Sequence, residues 1–208
     1  MTNPEFTIPL TVLLIGWMAA GGSPGPATLA ISGTSMQQGR AAGLTIALGI
    51  LFGSATWGVA AGLGFSAVMM SNAWLFEMLR YVGAGYLMFL SLKSLRAAWR
   101  DQPPLSAEIP RRGLFIKGAL LHLTNPKAIF SWGAIYAVAL PADAAAGAVW
   151  SLFAWLFCAS IIVFCGYAVL FSASPVALAY TRAKRGFDVC FGVLFGLASL
   201  KVLTARLI

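Results

Sequence analysis

Apolar stretches of about 20 residues or more recur along nearly the whole chain, at roughly 6–34, 42–70, 73–95, 113–140, 145–172 and 187–207. Runs of that length with few charges match the hydrocarbon thickness of a bilayer, so the chain is expected to fold as an all-α membrane protein of about six transmembrane helices. What remains of the 208 residues leaves no room for a soluble domain, and one transmembrane domain, 1–208, follows. Charged residues make up 10%, against roughly 25% in soluble domains, and mean hydropathy is +0.85.

The net charge of +8 does not point to nucleic acid, because the basic residues gather between the apolar runs, where they set orientation and meet anionic lipid. Arg40 lies between the first and second runs; Lys93, Arg96, Arg100, Arg111, Arg112 and Lys117 surround the third gap; Arg182, Lys184 and Arg185 lie between the fifth and sixth runs. All three gaps fall on one side of a six-span topology. By the positive-inside rule that side is cytoplasmic and both termini face outward. The one sizeable polar connection, 101–112, contains Pro103, Pro104 and Pro110 and reads as a cytoplasmic linker between halves 1–100 and 113–208. Each half holds three spans, so the halves are expected to be inverted relative to each other.

Two places interrupt this apolar pattern. Ser23-Pro24-Gly25-Pro26 sets two residues without a backbone donor beside glycines with little helical preference, so a helix begun near Phe6 should break or kink there. Inside a membrane, irregular backbone is tolerated where protein or a water-filled cavity satisfies its polar groups, which suggests a site; a proline kink serving packing is the plainer alternative. Asn125-Pro126-Lys127 falls about 18 Å into the fourth run. Pro24 precedes Arg40 by 16 positions and Pro126 precedes Pro141 by 15, so the two breaks occupy corresponding places. Helices 1 and 4 are therefore expected to be broken near the membrane centre, and paired interruptions are the strongest pointer in a sequence to a transporter's substrate site.

Among the titratable residues, Lys127 lies too centrally to snorkel readily and should face a cavity or a partner. Asp188, expected at the start of the sixth helix, reads either as a cap paired with nearby arginines or as a proton-coupling carboxylate. Glu77 pairs plausibly with Arg80 three residues on, and His122, the single histidine, is either a packing residue or a proton carrier. Cys158, Cys165 and Cys190 have apolar neighbours and no CxxC spacing, so neither a metal, a redox centre nor a cofactor is expected. Gly49 and Gly53, Gly58 and Gly62, and Gly192 and Gly196 are spaced to let helix backbones approach, within one chain or between copies in a homo-oligomer.

Ser23-Pro24-Gly25-Pro26, Gly39-Arg40-Ala41-Ala42-Gly43-Leu44, Ala47-Leu48-Gly49 and Gly83-Ala84-Gly85-Tyr86-Leu87, followed by Lys117-Gly118, Leu123, Asn125-Pro126-Lys127-Ala128 and Phe187-Asp188 with Gly192, resemble in order the landmarks of the LysE/RhtB family of amino-acid exporters. The resemblance spans nearly the whole chain. It implies a bacterial inner-membrane exporter, not an enzyme, that expels amino acids or small derivatives in exchange for protons. Two stretches depart from the family pattern: Ile129-Phe130-Ser131-Trp132 replaces its common aromatic pair, and Pro141-Ala142-Asp143 its PQF. In the expected site, Ser23, Pro24, Gly25, Pro26, Asn125, Pro126 and Lys127 hold a zwitterion. Amides opening the helix after Pro26, together with Lys127, take its carboxylate, and carbonyls near Ala20 to Gly22 and at Asn125 take its ammonium. A metal or inorganic-ion exporter and a passive channel are the competing readings; the scarcity of histidine and intramembrane carboxylate weighs against the first.

Overall fold

The computed structural model describes residues 6–69, 81, 85, 88–89, 91–93, 95–96, 98–99, 112–141 and 143–204. Among these residues the fold is all helical. Helices α1 (Leu10–Gly22) and α2 (Pro26–Gln38) are followed by α3 (Arg40–Met69), and α4 (Leu114–Leu123) and α5 (Pro126–Ala139) by α6 (Ala146–Leu170) and α7 (Ser174–Thr204). Further helical positions fall within 81–98. The linker 101–112 lies outside the described residues except for Arg112, and so does Glu77.

Two helical segments, Arg40–Gly64 and Ala146–Leu170, are long and apolar enough to cross a membrane. Helices α1, α2, α4 and α5 have 10 to 14 residues each, so each is roughly 15–21 Å long and short of a bilayer core of about 30 Å. Local chemistry sets their ends. Pro26 and Pro126 open α2 and α5, where a missing N–H costs nothing and the fixed φ suits the first turn.

The centre of the fold is α3, which packs on α2, α4, α5 and α6. It meets α4 at backbone distance because the crossing is lined by glycine: a Cβ at Gly49 would collide with the Phe115 carbonyl, and one at Gly118 with the Ile46 carbonyl. Gly53 faces Ala119 and His122 farther along. Contacts advance in the same direction on both helices, so α3 and α4 run parallel, with Arg40 and Arg112 at the same end. The Arg40 Nε donates to Ser172 Oγ at 3.5 Å, which brings the end of α6 to that end as well. At the other end Thr7 N donates to the Ala139 carbonyl at 2.9 Å, and Gly62 meets Val149.

Aromatic side chains tie α5 to α3 within the core. Trp132 Nε1 donates to Ser54 Oγ at 3.1 Å and the Tyr136 hydroxyl to the Gly58 carbonyl at 3.1 Å, both side chains being almost fully buried. Removing that hydroxyl deletes a buried link between the two helices, so Tyr136→Phe is expected to destabilise the protein by about 0.5–1.5 kcal/mol. Thermal unfolding in detergent checks this, and an unchanged midpoint counts against the bond.

The last helix departs from expectation. It begins at Ser174 rather than near 187, so the basic stretch 182–185 is helical and Asp188 lies well inside α7, not at a helix start where it would cap. Pro175 suits a first turn, and the residues from Val176 to Lys184 are mostly adequate helix formers; a run of positive charge sets topology but does not break a helix. Arg185 lies over the Trp99 ring at 5.0 Å, between α7 and the helical positions of 81–98. Close contacts of Gly192 with Leu95 and of Gly196 with Ser91 join the same elements.

Candidate functional site

The chain leaves α1 at Gly22 and enters α2 at Pro26, and it leaves α4 at Leu123 and enters α5 at Pro126. These interruptions, about a hundred residues apart, lie against one cavity whose empty space, open solvent included, is about 490 Å³. Ser54 of α3 and Ser160 of α6 also line it. Ser54 lies about 21 Å along α3 from Arg40, and Ser160 about 21 Å along α6 from Ala146, so the cavity opens near the middle of both long apolar helices.

Lys127 links the two interruptions. Its Nζ donates to the Ser23 carbonyl at 3.3 Å and to the Ser23 hydroxyl, which in turn donates to the Ala20 carbonyl at 2.8 Å. These partners are neutral. The Lys127 amine therefore borders the cavity without a carboxylate beside it among the described residues.

Each interruption disposes of its backbone groups differently. At the second, Asn125 Oδ1 accepts from Lys127 N at 3.0 Å and the Asn125 carbonyl accepts from Ala128 N, so the start of α5 is capped. At the first, Thr28 Oγ1 accepts from Gly25 N at 3.0 Å and lies 3.2 and 3.1 Å from the carbonyl oxygens of Ser23 and Gly25, either of which can take its proton. The amides of Ala27 and Thr28 have no acceptor among the described residues, and both residues line the cavity. A helix start with open donors is favourable ground for an anion.

An aromatic wall faces these groups. Trp17 and Trp132 meet at a centroid distance of 4.5 Å and an angle of 59°. Their indole nitrogens donate to Ser160 Oγ at 2.8 Å and Ser54 Oγ at 3.1 Å, which turns the ring faces and edges inward. His122 and Phe164 complete this side.

Of the residues singled out in the sequence, Ser23, Gly25, Pro26, His122, Asn125 and Lys127 line the cavity; Pro24 is not among the described lining residues, and Pro126, whose side chain is outside the described set, opens α5. Asp188 is on α7 with its side chain outside the described set, and Glu77 lies outside the described residues. Gly25 has an extended backbone, and a Cβ there would only touch the Lys127 chain at 3.6 Å. The carbonyls of Ala20 and Gly22, expected to receive an ammonium, already accept from Ser23 Oγ and from the Tyr167 hydroxyl at 2.5 Å, each keeping one lone pair. Sequence reasoning missed Trp17, Thr28, Ser54, Ser160 and Trp132. The hydroxyls carried a usable signal as polar groups inside apolar helices, whereas the tryptophans had none.

The family model described as LysE type translocator matches residues 19–206. The threonine efflux protein of Salmonella typhi is 29% identical over 189 residues, covering 88% of this chain and 92% of its own length, and that of Escherichia coli strain K12 is 28% identical over the same shares. A membrane protein of Pseudomonas aeruginosa described as uncharacterized is 38% identical over 112 residues, 51% of this chain and 52% of its own. No solved structure matches the chain.

Proposed function

This chain belongs to the LysE type translocator family, and we propose that it is a secondary active exporter of amino acids or small amino-acid derivatives across the bacterial inner membrane. It is a transporter and not an enzyme. The observation that carries the substrate reading is Lys127, an amine at the cavity whose partners among the described residues are a hydroxyl and a carbonyl, joined to the other interruption through Ser23. An ammonium in an apolar interior is costly unless an anion completes its shell. A zwitterion supplies that anion: its carboxylate meets Lys127 and the open amides of Ala27 and Thr28, and its ammonium meets the remaining carbonyl lone pairs and the aromatic wall. The names of the threonine efflux relatives support an amino-acid cargo.

In this reading the two interrupted helical pairs cross the membrane as broken helices in inverted halves, and the cavity at mid-length is the alternating-access site. The end of the fold that holds Arg40 and Arg112, where Ser172 meets Arg40, faces the cytoplasm, and both termini face outward. Purified protein in proteoliposomes tests the proposal: amino acid should accumulate against its own gradient when a proton gradient is imposed. Movement that stops at equal concentrations on both sides indicates a channel and overturns active export.

Proton antiport needs a group that titrates, and Asp188, Glu77 and His122 are the candidates. Asp188→Asn is expected to keep downhill amino-acid exchange while losing most of its acceleration by an imposed proton gradient. Unchanged acceleration removes Asp188 from the coupling step.

A further inference from the structure

His122 is buried, with 5% of its surface exposed, and no nitrogen of its ring has a hydrogen-bond partner among the described residues; Nδ1 is sealed from solvent as well. Nε2 is likewise unpaired but is not sealed, so it is the nitrogen that a molecule in the cavity can reach. The ring is held firmly. A Cβ at Gly53 would come within 2.9 Å of the His122 Cβ, so α3 presses against the base of the side chain, and Phe164 meets the ring edge-on at 5.8 Å and 74°. The His122 carbonyl accepts from Asn125 N at 3.1 Å, which ties the residue to the second interruption.

The other buried hydroxyls of the cavity already have at least one partner. Ser54 accepts from Trp132, Ser160 accepts from Trp17 and donates to the Leu156 carbonyl, and Ser23 serves Lys127 and Ala20. His122 is a buried side chain of the wall with its hydrogen-bonding capacity intact, and an imidazole offers both a donor and an acceptor nitrogen. We propose that His122 is a specificity-determining contact that hydrogen-bonds the polar side chain of the cargo, so that the site selects small amino acids with an uncharged hydrogen-bonding side chain over their aliphatic isosteres. The proposal rests on the amino-acid export reading and assigns His122 to the cargo rather than to the coupling ion. Hydrogen-bonding sites discriminate strongly because an isostere lacking the group leaves the protein's own polar atom unpaired.

The test is competition inside one preparation, which makes the readout independent of the amount of folded protein. Proteoliposomes with wild-type protein are offered equal mixtures of threonine with valine and of asparagine with leucine, pairs matched in shape. Wild type should prefer the polar member of at least one pair by about tenfold or more. His122→Phe should bring that ratio close to one, and His122→Gln, which places an amide near the position of Nε2, should recover part of it. Equal transport of both members by the wild type overturns the proposal even if every variant fails to fold. A ratio that survives in His122→Phe overturns it too, while export itself still stands. Failure of the wild type to move any amino acid overturns the export reading, and this proposal with it.

Discussion

Lys127→Ala is expected to reduce export by about ten- to a hundredfold at equal membrane abundance, the loss of a charge-assisted hydrogen bond being worth about 1.5–3 kcal/mol. Two effects combine. The cargo carboxylate loses its cation, and Ser23 loses the donor that ties its hydroxyl and carbonyl to the opposite interruption. Lys127→Arg separates them: it keeps the charge, but a planar guanidinium is bulkier than an ammonium and differs in geometry, so export should be restored in part. The measurement is initial export rate against substrate concentration. If Lys127→Ala exports like wild type, the carboxylate is not held at this amine.

Gly118→Leu is expected to prevent the protein from reaching its folded state at all. A Cβ at this position would collide with the Ile46 carbonyl oxygen and lie 3.1 Å from both Ile46 Cγ1 and Ile50 N, backbone and packed side chain that have nowhere to move. Ordinary overpacking costs about 1–3 kcal/mol, and this substitution also forces apart the α3–α4 crossing that Gly49 closes against Phe115. Gly133 provides the contrast, because an added Cβ there meets nothing within 4 Å, and Gly133→Ala should accumulate normally. Membrane abundance and monodispersity in detergent decide the matter. A Gly118→Leu protein as abundant and monodisperse as wild type shows that the crossing tolerates separation.

Much of the molecule is legible in its amino-acid sequence. Hydropathy alone implies helices, and prolines 24, 26 and 126 mark where the backbone loses donors; Pro26 and Pro126 open α2 and α5. The glycine spacing announces close helix contacts, found at Gly49, Gly53, Gly192 and Gly196. The start of α7 is not legible, because clustered arginine and lysine read as a loop in a membrane sequence although those residues are good helix formers. Thr28 is hidden for another reason: it closes the first interruption by a bond to Gly25, a role that depends on backbone geometry past Pro26.

What the sequence determined by itself is therefore local or additive: helical class, the positions where helices lose their donors, the basic ends, and membership of a family of translocators. The tertiary structure alone decided which surfaces face each other. It brought Lys127 to Ser23 across about a hundred residues, faced Ser54 and Ser160 onto one cavity, and turned Trp17 and Trp132 together. The physical reason is rotation: an almost uniformly apolar helix has little amphipathic pattern to say which face turns inward. That choice falls to contacts such as Gly118 against Ile46, between positions that no local rule connects.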